Sequence, residues 1–154
     1  KGTVDRFKAE KGRGKIVADM EDQYVIVDSA VLCKFSRGIW KWYDDVAKLY
    51  NLVTGFDMTP EEMNLVGTRV NTLARLYNIR EGLTRKDDRV PIRVMKLPIP
   101  EGVAKGSYVS QEDLDLLLDD YYEYRGWDKD GIPTEATLKE LGLEEYAYLM
   151  GKEG

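Results

Sequence analysis

A chain of 154 residues with 43% apolar and 33% charged side chains can bury one substantial core and is ordinary in composition for a globular domain. Its net charge of −5 argues against nucleic acid as the main partner, and no apolar run is long enough to cross a bilayer. Histidine is absent, which removes the commonest general base and nitrogen ligand, and the single cysteine, Cys33, excludes an internal disulfide.

The first residue is Lys1. Residues 1–15 carry six basic side chains against Asp5 and Glu10, a net of +4 that leaves −9 for the remainder. They are expected to form the basic, flexible start of an excised fragment, with residues 16–150 as the folded domain. A lone thiol and the absence of a signal-peptide pattern make a cytoplasmic protein the default.

Ile16, Val17, Met20, Tyr24, Val27 and Val31 recur three or four residues apart. This spacing predicts a helix over 16–35 with those side chains inward, broken near Asp28 and Ser29, either of which could cap a new turn holding Val31 to Phe35. Ile39, Tyr43, Val46, Tyr50 and Val53 mark a second stripe over about 38–54, ending at Gly55. Thr59-Pro60-Glu61-Glu62 combines an N-cap, a first-turn proline and a capping-box glutamate. It opens a long helix with Met63, Val66, Val70, Leu73 and Tyr77 inward, which should stop before Gly82.

Residues 83–109 lack a helical period and are punctuated by Pro91, Pro98, Pro100, Gly102 and Gly106, with Arg89 to Met95 readable as extended. Arg80 and Glu81 are helix neighbours that do not face each other, so they are expected to tie this loop down through an arginine paired with Asp87 or Asp88. Ser110-Gln111-Glu112-Asp113 caps the next helix, with Leu114, Leu117, Leu118, Tyr121 and Tyr124 inward and Gly126-Trp127 at its end. Thr134 opens a short last helix that closes at Gly142. The fold class is therefore all-α: a multihelical domain of five or six helices, with one long irregular loop over about 83–109.

Two motifs dissolve on inspection. Gly12-Arg13-Gly14-Lys15 lacks the third glycine and preceding strand of a dinucleotide loop, and Ile16 stands where a phosphate loop needs Ser or Thr. Asp128-Lys129-Asp130-Gly131, aligned on its glycine, puts Gly126 and Thr137 at calcium-ligand positions, so it is a helix-ending turn. The acidic side of the 111–125 segment reads as the wet face of an amphipathic helix.

Asp28 and Cys33 stand out in the otherwise apolar run Val27-Asp28-Ser29-Ala30-Val31-Leu32-Cys33-Lys34-Phe35, which reads as buried. One reading is a capping aspartate and a buried, inert thiol. The other is a ligand pair: an acceptor for a nitrogen heterocycle beside a sulfur facing an anionic centre. On one continuous helix the two side chains would point about 140° apart, so the second reading requires the break near Asp28.

The ordered set comprising that run, Tyr77-Asn78-Ile79-Arg80-Glu81-Gly82, Asp87-Asp88-Arg89-Val90-Pro91 and Tyr121-Tyr122-Glu123-Tyr124-Arg125-Gly126-Trp127 carries a resemblance. Asp130-Gly131-Ile132-Pro133-Thr134 and Leu138-Lys139-Glu140-Leu141-Gly142-Leu143 continue it. Together they resemble the C-terminal part of the tungsten-containing aldehyde ferredoxin oxidoreductases. The resemblance implies a helical fragment, inactive alone, of an enzyme that converts aldehydes to carboxylic acids with ferredoxin as electron acceptor. It implies a tungsten (or molybdenum) bis-pterin and a [4Fe–4S] cluster, with Cys33 as the fourth cluster ligand and Asp28 and Leu32 beside one pterin. The other three cluster cysteines and the acid–base residues would lie upstream. The implied partners are the enzyme's own upstream domains, ferredoxin and a small aldehyde, with a homodimer compatible and no membrane or nucleic acid. One departure is Val31, where the family's D-x-x-G-L-C pattern has glycine. The alternative from a different class is a stand-alone helical binding or scaffold module with a buried structural cysteine.

Overall fold

The structure, a computed structural model, describes residues 8–151. Residues 1–7 of the expected basic start lie outside the described residues. Six α-helices follow in order: α1 Arg13–Ser29, α2 Trp42–Thr54, α3 Pro60–Arg80, α4 Ile92–Lys96, α5 Gln111–Arg125 and α6 Glu135–Leu141. Short 3-10 turns span Lys34–Gly38, Arg85–Asp87 and Glu144–Met150. Among the described residues there is no strand, only an isolated bridge between Trp127 and Pro133.

Local chemistry sets the helix starts. Thr59 accepts from the Glu62 N–H at 3.2 Å while the Glu62 carboxylate accepts from the Thr59 N–H at 2.8 Å, a closed capping box with Pro60 at the first position of α3. Ser110 and Asp113 repeat the arrangement on α5, and the Thr134 hydroxyl caps α6. α1 begins differently. Its N-cap, Gly12, has no side chain to offer, and the Asp120 carboxylate of α5 accepts instead from the Gly12 and Gly14 N–H groups at 2.9 and 2.6 Å. Those N–H groups hold the Asp120 carboxyl below its usual range.

α1 lies between α3 and α5, and both approaches are close. A Cβ at Gly14 would collide with the Tyr121 backbone N, and one at Gly67 would sit 2.7 Å from the Asp22 carbonyl. Close approach therefore requires glycine at Gly14 of α1 and at Gly67 of α3, and the buried face of α1 is Gly14, Ala18, Asp22, Ile26 and Val27. This corrects the expected inward stripe: Ile16, Val17, Met20 and Val31 are exposed, and only Val27 is buried, with Tyr24 half-buried. Val53, Ile39, Tyr77 and Tyr124, also expected inward, are exposed as well.

Two apolar clusters form the core. Ile26, Val46, Ala47 and Met63 join α1, α2 and α3, and Leu76, Leu138, Leu141, Leu143, Leu149 and Met150 join α3, α6 and the final turn. Where α1, α3 and α5 meet, a polar centre replaces apolar contact. Buried Asp22 accepts from Arg125 at 2.6 Å, Asn71 at 2.7 Å and Thr68 at 2.7 Å. Arg125 also donates to Glu21 at 2.8 Å. A buried charge pair is tolerated only when its hydrogen bonds are met, as they are here.

The 83–109 loop is irregular as expected but contains two helical turns. Pro91, with φ −52° and ψ 138°, stands as the N-cap residue of α4, and Ile92–Lys96 is helical where an extended run was read. Ile99 donates to Ser107 and Gly106 donates back to Ile99, closing a turn. The loop is tied down by an arginine, but by Arg75 rather than Arg80. Arg75 donates from both terminal nitrogens to Asp88 at 2.9 and 2.7 Å and from Nε to the Gly131 carbonyl. Arg80 and Glu81 pair with each other at 2.6 Å on the surface, long side chains reaching where the helix geometry alone forbids contact.

Candidate functional site

The predicted break near Asp28 is present, and its form explains the turn that follows. α1 ends with the Leu32 N–H donating to the Val27 carbonyl at 2.9 Å and the Val31 N–H donating to the Asp28 carbonyl at 3.2 Å. This is the double bond pattern of a Schellman cap, with Leu32 completing it by packing on the Ile26 cluster. The cap requires a left-handed residue at position 31, and Val31 has φ 55°, the sole non-glycine with positive φ among the described residues. Glycine adopts that conformation freely, whereas a β-branched side chain is strained there.

Neither Asp28 nor Ser29 caps the next turn by its side chain. Cys33 is its N-cap residue, and the Cys33 carbonyl accepts from the Ser36 N–H at 3.0 Å and the Ser36 hydroxyl at 2.6 Å. Trp40 in turn donates to Ser36 at 2.8 Å. The backbone at Cys33 is thus held by three linked hydrogen bonds while its thiol is free and exposed. Asp28 is exposed too, against the expectation of burial, and pairs with Lys34 at 3.3 Å. Leu32 is half-buried between them. One turn therefore presents a carboxylate and a thiol to the outside, anchored by a leucine in the core.

As a metal site this turn supplies one soft donor. Among the described residues no group of three or more Cys, Asp or Glu side chains could hold a metal ion. A four-thiolate cluster would fit here with Cys33 as a single corner and its other ligands elsewhere.

A second feature escaped the sequence reading. The outward stripe of α1 faces an open cleft of ≈ 1150 Å³, with Ile16, Val17 and Met20 on one wall and Leu117 and Leu118 of α5 on another. At its edge lie Asp88, Tyr122 and Trp127, where Tyr122 donates to Asp88 and the Arg75 guanidinium stacks 5.4 Å from the Trp127 ring. The Trp127 indole N–H is buried without a partner. The clue available in sequence was Arg75 beside Leu76, a charge on the inward side of α3.

The end of α1 offers one anchored thiol and one carboxylate, which alone make no complete site. The sequence profile described as aldehyde ferredoxin oxidoreductase, domains 2 & 3, matches residues 1–143. The chain belongs to that family. It is 37% identical over 134 residues to a tungsten-containing aldehyde ferredoxin oxidoreductase of Pyrococcus abyssi, covering 86% of this chain and 21% of the relative. With the enzyme of the same name from Pyrococcus furiosus it shares 36% identity over 145 residues, or 93% of this chain and 23% of the relative. An aliphatic sulfonate oxidoreductase, WOR-like subunit, of Pyrococcus furiosus is 36% identical over 124 residues, covering 77% of this chain and 19% of the relative. Among solved structures, the active-site complex BamBC of benzoyl coenzyme A reductase with 1,5-dienoyl-CoA superimposes with a TM-score of 0.69 at 28% identity. That match covers 90% of this chain and 20% of the other. The chain thus spans about a fifth of the length of the relatives it matches and corresponds to their C-terminal part. Among the described residues no helix is long and apolar enough to cross a membrane.

Proposed function

We propose that this chain is the C-terminal helical portion of a tungsten-dependent oxidoreductase that converts aldehydes to carboxylic acids and passes electrons to ferredoxin. Within it, Cys33 contributes one thiolate to a [4Fe–4S] cluster, and Asp28 and Leu32 border a pterin. The observation that carries this reading is the exposed thiol of Cys33, fixed through its own backbone, on the same turn as an exposed carboxylate. A thiol filling a core, as a stand-alone scaffold module would have it, is not what this turn presents.

When bound, the tungsten pterin supplies two-electron oxidation and the cluster supplies one-electron transfer. The chain's own residues hold and orient. The Schellman cap brings Leu32 into the core and turns Cys33 out of it, so the sulfur is placed by backbone hydrogen bonds rather than by a flexible loop. The Asp28 carboxylate, exposed and paired with Lys34 at 3.3 Å, would accept hydrogen bonds from N–H groups of a heterocycle. The aldehyde as substrate is supported by the names of the Pyrococcus abyssi and Pyrococcus furiosus relatives.

Metal analysis of the full-length enzyme tests this directly. Cys33→Ala is expected to lose iron, and Asp28→Asn to lose pterin and tungsten with a smaller loss of iron. Full iron and tungsten in both variants would overturn the assignment.

A further inference from the structure

Asp28 places a negative charge at a helix end that is already negative. The free carbonyls of the last turn of α1 together carry about half an elementary negative charge, and no basic residue stands in that turn to offset it. Lys34, the first residue of the 3-10 turn Lys34–Gly38, reaches back over this end. Its Nζ lies 3.3 Å from the Asp28 carboxylate and 5.7 Å from the centre of the Tyr24 ring, so two groups of α1 hold the ammonium. The Lys34 and Asp28 side chains are both more than half exposed, and an ion pair of that kind adds little to stability. Its place in the chain matters more, because Lys34 follows Cys33 directly.

We infer that Lys34 is a positioning residue for electron transfer: its ammonium, held at the end of α1 by Asp28 and Tyr24, favours the reduced form of the cluster to which Cys33 contributes. This role rests on the assignment of Cys33 as a cluster ligand. A cluster held by four thiolates is an anion that gains a further negative charge on reduction, and nearby charge is one determinant of its potential. Beside the Asp28 carboxylate and the negative end of α1, an added electron is disfavoured. A cation fixed at the same place offsets both. One electron enters the cluster and one leaves for the acceptor, while Lys34 acts by its charge alone.

Redox titration of the full-length enzyme, followed by electron paramagnetic resonance of the reduced cluster with iron measured in parallel, tests this. In Lys34→Gln the ratio of reduced to oxidised cluster at a fixed potential is expected to fall about tenfold, a downward shift of about 59 mV for one electron. Lys34→Arg keeps the charge and is expected to restore most of the wild-type potential. Arg37→Gln, three positions further on, is expected to shift it less than Lys34→Gln. An unchanged potential in Lys34→Gln overturns the inference. An equal fall in Lys34→Arg overturns it by making side-chain shape, not charge, responsible, and an equal fall in Arg37→Gln by making the effect one of overall surface charge. Loss of iron from Lys34→Gln also overturns it, because Lys34 would then serve cluster assembly. Cys33→Ala is read separately. If that variant keeps its iron, the ligand assignment fails; if it loses iron while Lys34→Gln leaves the potential unmoved, only the role of Lys34 falls.

Discussion

The amide of Leu32 donates to the carbonyl of Val27 at 2.9 Å, and through that bond the end of α1 decides where Cys33 stands. Leu32 follows the bond into the apolar cluster around Ile26 and Met63. The next residue, Cys33, is left outside with its carbonyl held by Ser36 and its sulfur free.

Relieving the strain in this cap should stabilise the chain. Val31→Gly places a residue that tolerates φ 55° where the cap demands it. A left-handed β-branched residue costs about 1–2 kcal/mol, partly offset by the greater unfolded-state freedom of glycine, so a net gain of about 1 kcal/mol is expected. Thermal unfolding followed by circular dichroism should show the melting temperature rising by about 2–4 °C. A fall would mean that the side chain packs within this chain after all.

Removing the polar centre should be far more damaging. Asp22→Ala leaves the Arg125 guanidinium, 3% exposed, without its closest partner, and deletes the acceptor for Asn71 and Thr68. Breaking a buried pair on one side costs about 3–5 kcal/mol. Urea unfolding should show that loss, and a change well under 1 kcal/mol would mean that water reaches the guanidinium.

Arg75 links three elements, and its loss should free the loop it holds. Arg75→Lys keeps the charge but cannot reproduce the two parallel bonds to Asp88 together with the bond to Gly131. Hydrogen exchange should quicken at residues 84–90 while the Leu76–Leu138 cluster stays protected. Equal exchange at 84–90 in both forms would show that the Thr84–Asp87 capping box and Arg85, which donates to the Lys129 carbonyl and pairs with Asp119, hold the loop without Arg75.

High pH should unfold the domain through its tyrosines. Burial pushes Tyr43 up to about 12, and burial also raises Tyr121 and Tyr122, which hydrogen-bond to Glu21 and Asp88. Because the folded state keeps these protons longer than the unfolded state, their contribution is complete below the ordinary tyrosine value of about 10 and declines as pH rises above it. Spectrophotometric titration should show one group of tyrosines ionising near the ordinary value and another only as helicity is lost. A single transition for all ten would contradict this.

What could be read from sequence was what local chemistry decides. The capping boxes at Thr59 and Ser110, the cap at Thr134 and the helix ends at Gly55 and Gly142 each depend on a few adjacent residues, and each stands where it was expected. The break after Asp28 belongs with them. The inward face of α1 did not, because it is set by how closely Tyr121 and Asp22 approach Gly14 and Gly67, which are far away in the chain. Periodicity marked Ile16, Val17 and Met20 as core, but neighbours too close for them leave these side chains on the cleft. The loop latch was assigned to Arg80 because that residue sits beside the loop, whereas Arg75 reaches it from one turn deeper. At Val31, where the family's pattern has glycine, the demand the structure shows is the left-handed cap.

The most direct measurement is the electron paramagnetic resonance spectrum of reduced full-length enzyme carrying Cys33→Ala, recorded beside its circular dichroism. The expected result is a lost or altered iron–sulfur signal with helicity unchanged. A cluster signal identical in shape and intensity to the wild type would contradict the role given to Cys33.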